Sequence, residues 1–477
     1  MHHLSPDLLP AITDGTLLRL DADAVVDAQS VCAAPGSLLL SLAPAREPRY
    51  ASWPRAVMRV LAAGSSEEVD ARAAALHLRD VRRVRVHATL TPAYVNAHTH
   101  LDLTHIGPTP HDPRLGFGPF VKLVVRNRRQ DDASIGESVR RGIALSLAGG
   151  VVAIGDICGA TRAGPTAAAL YALRNAPVLG VGYIEYFGIG KGETWALDAM
   201  RALLARLERE GLLPGSPANH AARHDGRVRV GIQPHAPYSV SLRGYDFAVE
   251  ASQRYSVPLC THLAETPEER RFIAQGDGPK RTMLEEIGIW DESALEFIGR
   301  GKTPVAHLEA HLARARMLSV HLNDLSDADI AVLARHGATA AYCPRSSEYF
   351  GNHEHFGPHR YRDLMRAGVP VALGTDSVIN LPPEAGTDLV GMSTLDEARR
   401  LYARDAADPR DLLAMITTHG ASVLGLDTSA FTFAADAPLA GLVGIEHDPR
   451  HASLDPANAA RNIMSSRSRP RLLMLGV

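Results

Sequence analysis

Two histidines close a nearly apolar segment, "YVNAHTHLDL" at residues 94–103, and their spacing is one that metal sites use. His98 and His100 are two residues apart, so in a β-strand both side chains lie on the same face. A neutral imidazole is a common ligand of zinc and other divalent metals. In a chain with 22 histidines, one such pair is weak evidence by itself. It gains weight only if other ligand-type residues are positioned to meet it.

Further ligand-type residues follow other short apolar segments. "QPHAPYS" contains His235 and "THLAE" contains His262 and Glu265, while "SVHLN" and "GTDS" contain His321 and Asp376. Imidazole and carboxylate groups with room for water are the ligand set of a catalytic zinc or a similar divalent ion. Such an ion lowers the pKa of a bound water to roughly 7, and a nearby carboxylate would then move the protons. The set therefore predicts metal-assisted hydrolysis.

The segments that must position these residues are typical of parallel β-strands that alternate with helices. Eight of them are rich in Val, Ile and Ala: "TPAYVNAHTH", "VVAIGDI", "VLGVGYIEYF", "VRVGIQPH", "PLCTHLAE", "MLSVHLN", "ATAAYCPRS" and "PVALGTDS". Helical stretches such as "SIGESVRRGIALSLAGG" and "DADIAVLARHG" lie between them. This alternation predicts an α/β fold with a (β/α)8 TIM barrel, whose functional groups lie at the C-terminal ends of the strands.

The candidate residues all fall at these predicted strand ends. After Glu265 the chain continues with "TPEE", where Thr266 is a suitable helix cap, Pro267 suits the first helical position and Glu269 completes a capping box. The strand must therefore stop at Glu265. This places Glu265 at the rim of the barrel independently of the other residues.

The two ends of the chain lack the strand and helix alternation. "TLLRLDADAVVDA", "SLLLSLA", "AVMRVLAAG" and "VRRVRVHA" indicate short strands without helices between them, and "LAGLVGIEHD" and "PRLLMLGV" near the other end are again strand-like. We therefore expect a barrel at residues 91–425. Residues 1–90 and 426–477 together are expected to form a small β-sandwich-like domain.

Composition and charge argue against several function classes. The 50 basic and 53 acidic residues give a net charge of -3, and the absence of a long basic run argues against nucleic acid or a membrane surface as partner. Four cysteines without a CxxC motif suggest neither a disulfide framework nor a cysteine-rich zinc site. No segment is typical of a secretory signal or a membrane span. We expect a cytoplasmic protein with reduced thiols.

Several other residues allow more than one interpretation. His307 and His311 in "AHLEAH" have helical spacing but lack the glutamate that a zincin helix places beside its first histidine, so we interpret them as helix residues. Cys343 has no evident activating partner and is interpreted as a small buried residue. Arg345 at the predicted barrel mouth suits an anionic substrate group, and a solvated rim charge is an equal alternative. The role of the histidine-rich loop 352–359 stays open, with substrate contact as one alternative.

Taken together, "NAHTHLDL", "PHAPYSVS", "THLAETPEE", "SVHLND" and "LGTDS" resemble the deaminase and chlorohydrolase branch of the amidohydrolase superfamily, over residues 91–425. The resemblance implies one divalent metal ion per subunit, zinc first and iron(II) as the alternative. The implied metal ligands are His98, His100, His262 and Asp376. Glu265 is implied to shuttle protons between the attacking water and the leaving group, while His321 and Asp376 orient and help to deprotonate that water. His235 is implied to contact the substrate.

The resemblance favours one metal over two. Binuclear relatives commonly bridge their metals with a carboxylated lysine at the end of the fourth barrel strand. This chain has His235 there, and the nearest lysine in sequence, Lys191, follows the third strand.

The likeness also extends to the substrate class. "YCPRSSEYFG", "LGTDSVIN", "LDEAR", "GFGPFVKLVVRNRR" and "YIEYFG" look most like aminodeoxyfutalosine deaminases and related adenosine-type deaminases. The implied activity is hydrolytic deamination of a 6-aminopurine nucleoside, with aminodeoxyfutalosine as the leading substrate and a homodimer as the expected assembly. Besides His235, the expected substrate-binding residues are Arg126, Glu185, Arg345 and Asn380. Arg126 or Arg345 would meet the benzoate carboxylate of that substrate.

Three alternatives to this activity stay open. One is chloride or an alkylamine as the leaving group on a triazine-like or other N-heterocycle, and another is a guanine-type deaminase. A catalytically inactive barrel that serves as a binding module is the third, and the intact ligand set argues against it.

Overall fold

The structure is a computed structural model that describes residues 12–214, 227–382, 392–446 and 455–476. The described residues fall within two compact units. The first unit lies within Met1–Asn96, Ala144–Ala153 and Val390–Val477, and the second lies within Ala97–Ile143 and Ile154–Leu389.

The described residues form fifteen strands and seventeen α-helices. The strands are β1 (Thr16–Val26), β2 (Cys32–Ala33), β3 (Gly36–Tyr50), β4 (Trp53–Gly64), β5 (Arg82–Pro92), β6 (Tyr94–Thr99), β7 (Val151–Cys158), β8 (Leu179–Tyr186), β9 (Val228–Pro234), β10 (Leu259–Leu263), β11 (Met317–His321), β12 (Thr339–Tyr342), β13 (Val371–Leu373), β14 (Gly441–Ile445) and β15 (Pro470–Gly476). The helices are α1 (Ser66–Ala75), α2 (Gly118–Asn127), α3 (Asp132–Ala148), α4 (Ala168–Arg174), α5 (Glu193–Arg209), α6 (Leu242–Tyr255), α7 (Pro267–Gln275), α8 (Pro279–Glu286), α9 (Pro304–Leu312), α10 (Asp327–Arg335), α11 (Pro344–Tyr349), α12 (Asn352–Phe356), α13 (Tyr361–Arg366), α14 (Thr394–Asp405), α15 (Pro409–Met415), α16 (Thr418–Val423) and α17 (Pro456–Ser465). None of these helices, within the described part of the chain, combines the length and apolar character that a membrane crossing requires.

The eight predicted barrel strands are β6 to β13, and the structure confirms them. Within the described residues they form one sheet in which each strand neighbours the next along the chain. Every residue of β6, β7 and β10 is buried, as expected for parallel strands that are covered on both faces. A parallel bridge between Thr99 and Asp376 brings the last strand back to the first, and the Asp376 N–H donates to the His98 carbonyl at 3.1 Å. The sheet therefore closes next to the predicted metal ligands.

The small β-domain is also confirmed, and it is built from both ends of the chain. Its strand order is β2–β1–β3–β4–β15–β14–β5 in the described residues, and β1 additionally pairs with β5, so the sheet closes on itself. Leu18 of β1 lies opposite Leu40 of β3 in the antiparallel register. The core of this sheet includes Leu18, Leu20, Leu38, Leu40, Met58, Val60, Leu90, Leu442 and Met474.

Two helices in the terminal segments were not expected. The prediction of strands without helices in the first 90 residues is wrong, because α1 lies between β4 and β5. The Ser65 hydroxyl accepts the Glu68 N–H while the Glu68 carboxylate accepts the Ser65 N–H, which is a capping box that starts the helix. Val69 is the buried residue of α1, so the helix has little apolar periodicity to reveal it. The second unexpected helix, α17, begins at Pro456.

Candidate active site

The predicted metal ligands converge in the second unit. His98 lies in the same cluster as His262, and their ring centroids are 5.1 Å apart. The His98 and His100 ring centroids are also 5.1 Å apart. Asp376 follows β13, and its Oδ1 lies 3.8 Å from His98 Nε2 and 3.6 Å from His100 Nε2. His321, at the end of β11, joins the group with its ring 5.4 Å from that of His262. Strands that are distant in sequence thus bring four imidazoles and one carboxylate together.

The nitrogen atoms of this cluster fit a divalent ion. Both ring nitrogens of His98 and the Nδ1 of His100 are buried, with no hydrogen-bond partner among the described residues. Burial lowers the pKa of His98 well below its ordinary value, that of His100 to about 3 and that of His321 to about 4. The imidazoles are therefore neutral at pH 7 and keep a lone pair for a metal. Since an unsatisfied buried nitrogen is costly, a bound ion would remove a penalty that the protein otherwise carries.

The ring of His262 is oriented by the backbone of the preceding barrel strand. Its Nδ1 lies 3.1 Å from the carbonyl oxygen of His235, and a proton donated there leaves Nε2 for a metal. Asp376 is held by a side-chain hydrogen bond, because the Ser346 hydroxyl donates to its Oδ2 at 2.5 Å. Ser346 was not among the residues predicted from the sequence.

Four residues at or just after the C-terminal ends of barrel strands have left-handed backbone conformations. The φ angles are 54° for Ala264, 76° for His321, 52° for Leu322 and 55° for Asp376. Such angles are costly for residues other than glycine, and they cluster at functional sites where they direct side chains. Here they turn the chain sharply at the positions that present the cluster.

Glu265 is held in place beside His321. The Glu269 carboxylate accepts the N–H of Glu265 at 2.8 Å and that of Ala264 at 3.0 Å, so Glu269 holds the turn before α7 and does not close a capping box. The Thr266 hydroxyl accepts the Glu269 N–H at 3.2 Å, which confirms the predicted cap. Glu265 Oε1 lies 3.4 Å from His321 Nε2, and burial raises the pKa of Glu265 to about 7. A carboxyl with this pKa is able both to take and to release a proton near neutral pH.

A second group of charged residues lies next to His235. Glu185, a buried residue of β8, has its Oε1 4.0 Å from His235 Nε2. Arg128 Nη1 lies 3.4 Å from Glu185 Oε2 and 3.6 Å from Asp102 Oδ2. Burial raises the pKa of Glu185 to about 7, and Arg128 opposes that shift. We name Arg128, Asp102 and Glu185 the arginine clamp.

The remaining predicted substrate-binding residues have different positions. Arg126 is exposed in the last turn of α2, and the arginine that reaches the site is Arg128, just after the helix ends. Arg345 is partly buried in the first turn of α11. Asn380 is buried in a short 3₁₀ helix, Val378–Asn380, and its Nδ2 donates to the Thr375 carbonyl at 3.3 Å.

The other interpreted histidines and the cysteine can also be placed. His307 and His311 lie in α9 and Cys343 is buried, as expected. In the histidine-rich loop, His353 and His355 belong to α12 and are exposed. His359 contacts the site through the backbone, since its Nε2 donates to the His321 carbonyl at 2.8 Å.

Sequence reasoning also missed Asp156 and Gly159. Asp156 lies in the buried strand β7, where its Oδ1 accepts the Leu101 N–H at 2.8 Å, and a carboxylate within an apolar strand was the available signal. Gly159 follows that strand, and a Cβ at this position would lie 2.0 Å from Arg128 Nη1 and 2.5 Å from Asp102 Oδ2. A side chain at this position would therefore force the Arg128 guanidinium and the Asp102 carboxylate of the arginine clamp to shift.

The chain is similar to known proteins in sequence and in fold. The family model described as the amidohydrolase family matches residues 89–437. The chain is 30% identical to an aminodeoxyfutalosine deaminase from Deinococcus radiodurans over 74% of this chain and 79% of that relative. Among solved structures, aminofutalosine deaminase from Helicobacter pylori matches with a TM-score of 0.68 and 16% identity, covering 97% of this chain and 100% of that chain. Adenosine deaminase from Xanthomonas campestris with bound zinc matches with a TM-score of 0.64 and 18% identity, covering 97% and 91%. At these identities the two solved structures show the fold alone.

Proposed function

The chain belongs to the amidohydrolase family, and from that premise we propose that it is a metal-dependent hydrolytic deaminase of a 6-aminopurine nucleoside. The substrate is aminodeoxyfutalosine or an adenosine-like nucleoside, which releases ammonia and becomes a keto product. The convergence of His98, His262 and Asp376 beside Glu265 is the observation that carries the proposal. The identity to an aminodeoxyfutalosine deaminase over most of both chains supports the substrate class.

We assign metal binding to His98, His100, His262 and Asp376. A divalent ion, with zinc as first candidate and iron(II) as the alternative, supplies Lewis-acid activation of a water molecule when bound. The low pKa values of the histidines keep their lone pairs available at neutral pH. The Ser346 hydroxyl holds one Asp376 oxygen, so the other oxygen remains directed toward His98 and His100.

We assign proton transfer to Glu265. Because burial raises its pKa to about 7, it would take one proton from water and give it to the purine ring nitrogen, and then take the remaining proton of the added hydroxyl and give it to the departing amino group. His321 remains neutral beside it and orients the water through its Nε2. The Glu269 carboxylate accepts the backbone N–H of Glu265, and this hydrogen bond fixes the position of the Glu265 backbone.

We assign substrate binding to His235 and to nearby polar residues. The Glu185 carboxylate is buried beside His235, and the Asn380 amide is buried shortly after Asp376 in the chain, with its Oδ1 lacking a partner among the described residues; both offer hydrogen bonds to a nucleoside. Arg128 positions Glu185 rather than binding substrate anions, since it already lies between two carboxylates. This arrangement suits a neutral, hydroxyl-bearing sugar better than a bare heterocycle.

An ammonia-release screen of zinc-loaded enzyme tests the proposal. The panel contains adenosine, methylthioadenosine, S-adenosylhomocysteine, aminodeoxyfutalosine, guanine, an aminotriazine and a chlorotriazine. We expect ammonia from the 6-aminopurine nucleosides, loss of that activity in Glu265→Gln, and retention in Glu250→Gln, which changes an exposed glutamate of α6. Chloride from the chlorotriazine with no ammonia from any purine would assign the site to a different leaving group.

Two further expectations rest on the sequence alone. A homodimer and a cytoplasmic location stay predictions, and neither nucleic acid nor a membrane is an expected partner. Size-exclusion chromatography with light scattering on the full chain would measure the oligomeric state directly.

A further inference from the structure

A buried lysine near the site has no hydrogen-bond partner among the described residues. Lys280 lies in the first turn of α8, its side chain is 3% exposed, and its Nζ is buried. The chain contains only four lysines, and the other three, Lys122, Lys191 and Lys302, are exposed. The buried position of Lys280 is therefore an exception within this chain.

The position of Lys280 opposes two rules of folding. A buried charge without a hydrogen-bonded partner is strongly unfavourable. A cation in the first turn of a helix also opposes the helix dipole, which favours acidic residues there. The helix cap at Gly278 contributes no side-chain hydrogen bond that would offset either penalty. Local rules that are broken together mark positions kept for function rather than for stability.

Two aromatic rings enclose the ammonium group without satisfying it. Lys280 Nζ lies 3.7 Å from the ring centroid of Tyr238 and 4.1 Å from that of Phe117. These cation–π contacts attract the charge, but they leave its three N–H donors without an acceptor oxygen. The ammonium group between the rings therefore favours an additional anion.

The nearby carboxylates do not fill that place. Glu265, Glu268 and Glu269 are near enough to raise the pKa of Lys280, although burial is the larger effect and lowers it to about 8. The ammonium thus carries its charge at neutral pH. Within the described residues, none of the three makes a hydrogen bond with it. Glu268 and Glu269 are also engaged elsewhere, because they accept N–H groups of Phe117 and Glu265 respectively.

The ammonium lies at the wall of the active site. The Tyr238 ring meets the His235 ring edge-on with centroids 5.5 Å apart, and the His235 and His262 rings are 4.9 Å apart. Lys280 is thus separated from a metal-ligand residue by two ring contacts. Phe117, on its other side, has its ring 4.9 Å from that of Phe350, which adds an apolar surface.

We propose that Lys280 receives a carboxylate of the substrate, with the attached aromatic ring packed against Phe117 and Phe350. This assignment rests on the proposed function and deepens it, because it makes the preferred substrate a nucleoside that carries an aryl carboxylate. A carboxylate oxygen is the acceptor that the buried ammonium lacks. Arg126 is exposed and Arg128 is already paired, so Lys280 replaces Arg126 as the expected partner of the benzoate group.

The test compares a substrate that carries the charge with one that does not. Aminodeoxyfutalosine and its methyl ester differ in that carboxylate, and adenosine serves as a plain nucleoside. We expect the wild type to favour the acid over the ester by about 10- to 100-fold in kcat/KM, as a charge-assisted hydrogen bond predicts. Lys280→Met should bring the acid down to the level of the ester, whereas Lys302→Met, which changes an exposed lysine, should keep the preference.

Each result has a definite meaning. Lys280→Met should melt no lower than the wild type, because methionine removes an unpaired buried charge and retains the apolar chain. If the variant loses activity equally on acid, ester and adenosine, Lys280 acts through Glu265 and the carboxylate assignment is overturned. If the wild type turns over acid and ester equally, the assignment falls while the deaminase proposal stands. If no nucleoside releases ammonia, the proposed function fails and the assignment falls with it.

Discussion

The contact between Ser346 and Asp376 allows a sharp test of how the carboxylate ligand is held. The Ser346 hydroxyl donates to Asp376 Oδ2 at 2.5 Å, while Oδ1 lies 3.6 Å from His100 Nε2. Both side chains are buried, so bulk water does not replace the bond if it is lost. Ser346→Ala therefore leaves one carboxylate oxygen unsatisfied and free to rotate away from the cluster.

The size of the effect follows from this one hydrogen bond. A hydrogen bond to a charged group contributes about 1.5–3 kcal/mol, which corresponds to roughly 10- to 150-fold in an equilibrium constant. Groups that orient metal ligands typically affect metal affinity by about 10- to 100-fold. Burial raises the pKa of Asp376, and the Ser346 hydroxyl opposes that shift. Without Ser346 the pKa rises further, so protons compete better with the metal and the loss of affinity should grow as the pH falls.

The assay is zinc competition against a chromogenic chelator at about pH 6 and about pH 8. We expect Ser346→Ala to bind zinc about 10- to 100-fold more weakly than the wild type, with the larger loss at the lower pH. Ser347→Ala is the matched control, because it removes the neighbouring hydroxyl of α11, which makes no hydrogen bond to Asp376 in the described residues. Equal zinc affinity of Ser346→Ala and the wild type at both pH values would refute the inference that this hydroxyl holds a metal ligand.

Three further changes test other parts of the site. Glu265→Gln should lower kcat by about 10²- to 10⁴-fold with zinc retained. Because the wild-type pKa of Glu265 is about 7, its base form is lost below that pH, and wild-type kcat should fall there. If the variant's kcat still fell with the same pH dependence, the assignment of Glu265 would be contradicted. Gly159→Ala would place a methyl group 2.0 Å from Arg128 Nη1 and should lower kcat/KM by about tenfold or more, whereas Gly118→Ala, whose methyl group meets nothing within 4 Å, should not. Removal of metal with a chelator should lower the melting temperature, because an ion at 1,000 times its Kd stabilises the folded state by about 4 kcal/mol; an unchanged Tm would argue against a metal held by the folded chain.

The convergence of the predicted metal ligands could be foreseen because these residues occupy equivalent positions in repeated units. His98, His262 and Asp376 each lie at or just after the end of an apolar segment, and parallel strands in a closed barrel bring those ends together whatever their separation along the chain. The cap at Thr266 fixed where β10 must end, and so fixed the position of Glu265. Periodicity and capping, which are local properties, were sufficient for this part of the site.

The arginine clamp and Lys280 were not predictable in the same way. Whether Arg126 or Arg128 reaches the site depends on where α2 ends, because a shift of two residues points the side chain in another direction. Lys280 lies in a first helical turn, which sequence rules treat as exposed, and its burial depends on rings contributed by distant segments. Contacts between loops have no period, so the sequence alone does not reveal them.

The closure of the barrel at Thr99 and Asp376 also affects when the protein can acquire its metal. The ribosome delivers His98 and His100 early, but Asp376 arrives only after all eight barrel strands have been made. A nascent or truncated chain therefore lacks a complete ligand set and cannot retain the ion tightly. With the proposed ligand set, the metal-to-protein ratio of a preparation would report the fraction of chains in which the last strand has joined the first.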